Sequence, residues 1–319
     1  MEVQAVTHQS NQGLAGLFKA AGDPLRLQIL RVLSQDSFGV LELADLFSMP
    51  QPGMSHHLKL LAKAGLLEAR RQGNSIFYRR PIIKERDSLL SEVYASVDHL
   101  TLPSEIQKKV EAIYKMRAKR SQEYFRKNAD KFSERQGKLC EVSQYLPQLL
   151  ELLKLPKIEK KAKVLEVGPG QGLLLKELRK QFKNITALDA SKEMLAQASE
   201  VAKDIHYVHS ALEDHHPKTS YDLVILNMVL HHLSEPSNSF AHLAKLLKKD
   251  QYLLIADLCP HDQVWARDYC GDVWLGFEPK DLETWGALAG LYPVQSQYLG
   301  LKNGFQIQLK LFQKLESIK

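Results

Sequence analysis

The sequence predicts two domains: a small, mostly helical N-terminal one closed by a β-hairpin, and a larger C-terminal α/β domain doubly wound about a mainly parallel sheet. Three observations predict this. Short apolar runs at 163–167, 185–188, 205–208, 221–226 and 251–257 alternate with helical stretches, the βαβ rhythm that requires parallel strands. Ahead of them, four helical patterns precede a basic segment that alternates in polarity around Gly73-Asn74. The length of 319 residues exceeds what a single core usually serves.

Taken in order, segments 14–21, 24–33 and 40–47 space their apolar residues by three and four and read as short helices. Gly22-Asp23 and residues 34–39 punctuate them. A fourth helix is expected over 51–64, stopping at Gly65, and LLEARRQGNSIFYRR follows as a hairpin with a tight turn. Four helices and a basic hairpin in this order are the pattern of a winged helix-turn-helix, expected over residues 1–100. A further helix near 88–99 is placed to pair with its copy in a dimer. Residues 104–134 form one helical pattern, rich in Lys and Arg and without internal Pro or Gly, and define a connector over 101–135. The α/β domain occupies 136–319 and ends in two strands, 293–299 and 305–313. These flank Lys302-Asn303-Gly304 and read as an antiparallel hairpin on the sheet edge.

Composition excludes several classes. A hydrophobic content of 44% with 25% charged residues is that of a globular chain, not of a disordered or fibrous one. Cys140, Cys259 and Cys270 are too widely spaced for a disulfide framework or a zinc motif, and no metal site is expected. No basic stretch followed by an apolar run opens the chain, and no segment has eighteen consecutive apolar residues, so a cytoplasmic, membrane-free protein is expected. The net charge of +6 is concentrated: residues 101–138 hold eleven Lys or Arg against five Asp or Glu, and 59–80 hold six basic residues against Glu68 alone. Clusters of this kind suit phosphate.

The chemistry-bearing motif is VLEVGPGQG at 164–172, a buried strand turning tightly into a helix, where glycines admit a ligand that Cβ atoms would block. Asp189 ends the next strand and is placed to accept both hydroxyls of a ribose. A dinucleotide fingerprint needs a third glycine where Leu173 stands, which disfavours NAD. With YDLVILN at 221–227, the pattern over roughly 122–319 resembles the class I S-adenosylmethionine-dependent methyltransferases, Rossmann-like in fold. The resemblance implies that Glu166, Gly168, Gly170 and Gly172 surround the methionine portion of S-adenosylmethionine. It implies Asp189 at the ribose, Ala190 and Met194 flanking the adenine, Ala211 and Leu212 along the adenine edge, and Asn227 at the reactive end. Ala211 stands where such families usually carry Asp. Methyl transfer asks the protein mainly to align a nucleophile and, where needed, remove its proton. Catalytic residues are not identifiable from sequence, His231, His232 and His261 being the candidate bases.

In the N-terminal part, LFKAAGDPLRLQILRVL, MSHHLKLLAKAGLL and RRQGNSIFYRR together resemble the ArsR family of bacterial winged-helix regulators over roughly 12–100. The family implies a homodimer whose fourth helix enters the major groove of a double-stranded DNA operator. By position, Gln51, Gly53, Ser55, His56 and Lys59 would face DNA, with Arg70, Arg71 and Asn74 on the wing. Pro50 stands where the family usually places a capping Ser, and LELADL lacks the paired cysteines of a thiolate sensor. The order of modules resembles bacterial fusions of an ArsR-type regulator to a methyltransferase domain. Two expectations stay open: a sensor in which S-adenosylmethionine or S-adenosylhomocysteine alters operator binding, and an enzyme that methylates a small molecule.

Overall fold

The structure is a computed structural model that describes residues 10–34, 36–72, 75–83 and 88–315. The chain divides into two compact units, the boundary falling between Lys115 and Met116.

The first unit contains α1 (Asn11–Ala21), α2 (Pro24–Val32), β1 (Phe38–Gly39), α3 (Val40–Leu46), α4 (Gln51–Lys63), β2 (Glu68–Gln72), β3 (Ser75–Arg79), α5 (Ser88–Asp98) and the start of α6 (Ser104–Asn128). Its helices begin where side chains satisfy orphan amides. Ser10 Oγ accepts from Gly13 N at 3.0 Å, Asp23 Oδ1 accepts from Arg26 N at 3.0 Å, and Glu42 Oε2 accepts from Gly39 N at 2.8 Å. α4 begins at Pro50 without any side-chain cap and ends against Gly65, whose φ of 72° only glycine adopts cheaply. Leu17, Ile29, Leu30, Leu43, Met54, Leu58 and Leu61 build the core, joined by Ile106 and Ile113 of α6. The hairpin β2–β3 has a third strand, β1, against β3, pairing Phe38 with Tyr78. Two residues of strand leave no periodic signal, so this strand is invisible in the sequence.

In the second unit α6 ends at Asn128, whose side-chain amide donates to Tyr124 O at 2.8 Å. A 3₁₀ turn, Ala129–Lys131, and a separate short helix α7 (Phe132–Gln136) follow. The sequence predicts one helix to about 134, but the break turns Phe132 toward the glycine turn after β4, a tertiary contact that periodicity does not encode. Next come α8 (Val142–Leu152), β4 (Lys163–Val167), α9 (Leu173–Gln181), β5 (Asn184–Asp189), α10 (Lys192–Val201), β6 (His206–His209), β7 (Tyr221–Asn227), α11 (Pro236–Leu246), β8 (Leu247–Leu258), α12 (Trp265–Tyr269), α13 (Pro279–Leu288), β9 (Leu291–Gly300) and β10 (Gln306–Lys314).

These strands form one seven-stranded sheet in the order β6-β5-β4-β7-β8-β10-β9. The pairs from β6 to β8 are parallel, while β10 runs antiparallel to both β8 and β9. On one face Tyr145, Leu149, Leu175 and Leu178 pack against Val164, Ile225, Leu254 and Leu309. Elsewhere Phe312 of β10 meets Phe240 of α11 edge-on, their ring centroids 5.9 Å apart. β4 lies between β5 and β7, so the connections diverge on either side of it, the switch point where open α/β sheets bind ligands. Among the described residues no helix is long and apolar enough to cross a membrane.

Gly172 opens α9 with φ 79°, and a Cβ there would lie 2.9 Å from Ala198 O and 3.1 Å from Ala198 Cα. Gly304 has φ 89° but open space around it. Both Gly→Ala substitutions should lose the roughly 1–3 kcal/mol of left-handed strain, and Gly172→Ala should lose more because α10 cannot yield. Chemical denaturation of the two variants measures the difference. Equal losses would show that the helix contact does not need the glycine.

Candidate functional site

A cavity of about 500 Å³ opens at the carboxyl ends of β4, β5 and β7, within the second unit. Val167, Gly168 and Gly170 come from the β4 turn; Leu188, Asp189 and Ala190 from the end of β5; Met194 from α10; Ser210 and Leu212 from beyond β6; and Asn227, Met228 and Val229 from the end of β7. Phe125 of α6, Phe132 and Gln136 of α7, and Tyr145 of α8 complete the wall. Volume and mixed lining are those of a small-molecule or cofactor site.

Backbone conformation shapes the floor. Gly168 has φ 63°, and a Cβ on it would lie 2.4 Å from Val229 Cγ2; Gly170 has φ 55° and faces the Phe132 ring, which would stand 3.1 Å from its Cβ. At Gly168 a side chain has no room, and at both positions the positive φ favours glycine. Met228 also has a positive φ, 58°, held by its amide donating to Ala256 O at 2.8 Å. Strain of this kind in a non-glycine residue persists where surrounding packing enforces it. Asn227 Oδ1 accepts from the Tyr145 hydroxyl at 2.9 Å.

Electrostatics mark two carboxylates. Burial raises Asp189 to about 6, partly offset by the backbone amides of Ser191 and Ala190, and its Oδ1 accepts from Ser191 N at 2.8 Å. Glu166 is fully buried, neither carboxylate oxygen has a hydrogen-bond partner, and burial raises it to about 8. A buried carboxylate of this kind is costly unless something completes it.

Of the residues singled out for cofactor, Gly168, Gly170, Asp189, Ala190, Met194, Leu212 and Asn227 reach the wall, whereas Glu166, Gly172 and Ala211 do not. Glu166 precedes Val167 in β4 and is buried, and Gly172 serves the contact between α9 and α10. Ala211 sits between two lining residues, and Ser210 Oγ donates to its carbonyl at 2.9 Å. Phe125, Phe132, Gln136 and Tyr145 escape motif reading because all precede the glycine turn. Their only signal is amphipathic spacing, which does not distinguish a cavity wall from a core.

The candidate bases separate cleanly. His232 lines the cavity, touches Phe125 edge-on with centroids 4.8 Å apart, and is held neutral, burial and then His231 driving it well below the ordinary value. His231 is behind it, fully buried, with Nδ1 2.8 Å from Asp257 Oδ1 and Nε2 3.7 Å from Asp272 Oδ1. Burial opposes its charge, but the two aspartates prevail and raise it to about 9. His261 does not line the cavity; its ring packs edge-on against Phe305.

On the first unit, Gln51, Ser55 and Lys59 fall on one face of α4, since residues four apart align, while Met54, Leu58 and Leu61 are buried. His56 is exposed beside them, and Gly53 is half-buried. Arg70 and Arg71 lie on β2, half-buried and exposed respectively. Asn74 lies outside the described residues.

Known proteins share both parts. Residues 133–295 match the methyltransferase domain family and residues 21–70 a helix-turn-helix domain family. Over 87 residues the chain is 42% identical to an uncharacterized HTH-type transcriptional regulator of Methanocaldococcus jannaschii, covering 27% of this chain and 92% of that protein. Over 126 residues it is 29% identical to a ubiquinone biosynthesis O-methyltransferase of Rickettsia akari, covering 38% of this chain and 50% of that protein, so that it spans half the relative's length. In fold it is similar to magnesium protoporphyrin IX methyltransferase of Synechocystis PCC 6803, solved with bound SAH, with a TM-score of 0.53 over 62% of this chain and 99% of that one, at 16% identity.

Glu166 generates a prediction. Its carboxyl holds a proton up to about pH 8 when folded, against an ordinary value of 4.5. The native state therefore retains a proton that the unfolded chain releases, so the contribution to stability is full below the unfolded value and is lost as pH rises through about 8. Unfolding free energy, measured by denaturant across this range, should fall with rising pH, and Glu166→Gln should flatten the fall. An unchanged slope in the variant would refute the assignment.

Proposed function

The chain belongs to the methyltransferase domain family and, through its N-terminal part, to the HTH-type transcriptional regulators, and from that premise we propose that cofactor occupancy of the cavity controls operator binding. The cofactor in this reading is S-adenosylmethionine or its product S-adenosylhomocysteine. The first domain is taken as an ArsR-type homodimer that binds double-stranded DNA in the cytoplasm, α5 meeting its copy.

The observation that carries the reading is α6. Ile106 and Ile113 of this helix are buried in the core of the DNA-binding unit, while Ser121, Gln122 and Phe125 of the same uninterrupted helix line the cavity. A ligand that favours one position of this helix therefore acts on an element shared with the other unit, and such coupling is reciprocal.

The residues present fit the cofactor. Gly168 and Gly170 bring bare backbone to the wall for the amino-acid portion, Asp189 accepts from ribose hydroxyls, and Ala190, Met194 and the Leu212 amide border the adenine. When bound, S-adenosylmethionine supplies an activated methyl group on a sulfonium centre. The chain's own contribution is to orient and to exclude water, with neutral His232 on the wall as a candidate acceptor of a proton. That last feature favours the second reading, a small-molecule methyltransferase with an auxiliary DNA-binding domain.

Calorimetry with S-adenosylhomocysteine should show Asp189→Ala weakening the affinity by roughly 10- to 100-fold, the loss expected for charge-assisted hydrogen bonds. Unchanged affinity would remove the ribose assignment. On DNA, replacing Arg70 and Arg71 together by Ala should weaken binding to every sequence and lower the salt slope by about 2, while His56→Ala relaxes sequence preference. Neither effect on a selected operator would leave the first unit as a dimerisation module. Finally, S-adenosylhomocysteine affinity measured with and without operator should differ by about 1–3 kcal/mol. Identical affinities would leave two tethered, independent domains and make the enzyme reading the better one.

A further inference from the structure

At the cavity wall and behind it lies a cluster to which no cofactor contact has been assigned. His231, His232 and Asp272 are all buried, and one ligand atom from each lies within 4.8 Å of the other two. Three of the polar atoms there lack any hydrogen-bond partner: His231 Nε2 and both carboxylate oxygens of Asp272. The two groups face each other at 3.7 Å, too far for a hydrogen bond and ordinary for two ligands of one ion.

Asp257 fixes the arrangement. Its Oδ1 lies 2.8 Å from His231 Nδ1 and also accepts from its own neighbour's amide, Leu258 N, at 2.7 Å, while Oδ2 accepts from His231 N at 3.3 Å. An acceptor at Nδ1 places a proton there, so Nε2, the nitrogen that faces Asp272, is the one that would exchange its proton for an ion, in the carboxylate–histidine pairing that orients metal-bound imidazoles. For His232, Nδ1 lies 4.0 Å from Asp272 Oδ1 and 3.2 Å from Gly271 O, so an ion held by this nitrogen would replace the contact to Gly271.

We propose that His231, His232 and Asp272 bind a divalent first-row transition ion, with Asp257 as the positioning residue that orients His231. Two imidazoles and one carboxylate select the Zn²⁺ and Fe²⁺ class over Mg²⁺ or Ca²⁺, which take oxygen ligands. Three protein ligands leave at least one coordination position, and His232 is also a cavity residue, so an ion there would adjoin the cavity that a methyl acceptor would enter and would occupy the nitrogen that could otherwise accept a proton. Only this last step rests on the methyltransferase reading; ion binding does not.

Full-length, tag-free protein, freed of metal by chelator and dialysed, is titrated with Co²⁺ and with Zn²⁺. One ion per chain is expected, the cobalt form showing ligand-field bands of nitrogen and oxygen donors without thiolate charge transfer. Asp272→Asn should abolish stoichiometric binding, and Asp257→Asn should weaken it by roughly 10- to 100-fold. His242→Ala, which breaks the separate His216–His242 ring pair, should leave it unchanged. The metal-free melting curve and the S-adenosylhomocysteine affinity of each variant report whether it is folded. Absence of stoichiometric binding by the unsubstituted protein overturns the proposal without needing any variant; so does a thiolate band, or binding undiminished in folded Asp272→Asn. Cobalt binding without S-adenosylhomocysteine binding would uphold the ion site and sink the cofactor reading, and the reverse result would do the opposite.

Discussion

Where the chain leaves β4 it turns through a gap too narrow for side chains. Gly168, Gly170 and Gly172 all take positive φ, and each faces a different neighbour: Val229 after β7, the Phe132 ring of α7, and the Ala198 backbone of α10. A Cβ at Gly168 would lie 2.4 Å from a Val229 methyl, a separation that real atoms do not tolerate. One short backbone path thus seats three separate elements. The cavity floor, the placement of α7 over it, and the close packing of α9 on α10 all depend on it, and only glycine has the conformational freedom to follow it.

Around this turn the protein gathers polar groups that are buried or half-buried. Parallel strands buried on both faces are apolar along their length, so polar residues concentrate at their carboxyl ends. Asp189 ends β5, Asn227 ends β7, and Asp257 is the penultimate residue of β8. Each has a defined partner: Ser191 N, the Tyr145 hydroxyl and the His231 ring. Glu166 and Asp272 have no hydrogen bond to either carboxylate oxygen, although both are buried, and Asp272 faces the His231 ring at 3.7 Å. Such groups are exceptions in folded proteins. The cysteines carry no comparable signal, since burial pushes Cys140 up to about 12 and Cys259 to about 11, far from a reactive thiolate.

The long helix α6 contributes residues to each unit's own interior. Its sequence looks like a solvated basic connector, yet Ile106 and Ile113 are buried on one stretch and Phe125 lines the cavity on another. Apolar residues at wide helical intervals on a charged background are too sparse to announce a wall of a site. The same limit hides Tyr145, which Pro147 within α8 further obscures by interrupting a clean helical pattern.

Sequence by itself determined what local chemistry controls. Buried parallel strands read as apolar runs because neither face meets water; the β2–β3 hairpin reads through its alternation; and the glycines after β4 announce a turn that side chains would block. These features, with Asp189 at the end of β5, identify both parts of the protein and the side of the sheet on which the cavity opens. Tertiary structure decided what depends on partners distant in the chain. His231 and His232 are adjacent and chemically alike in sequence, yet one reaches the cavity while the other is enclosed by Asp257 and Asp272. Gly168 and Gly172 share a motif and a conformation, yet one borders the cavity and the other a helix. Asp272 follows His231 by a long stretch of chain, so no spacing rule connects them. The physical reason is common to all three cases: a periodic pattern reports which residues avoid water, whereas the neighbour that each one meets is set by how β7, β8 and the segment after α12 converge at the sheet's carboxyl edge.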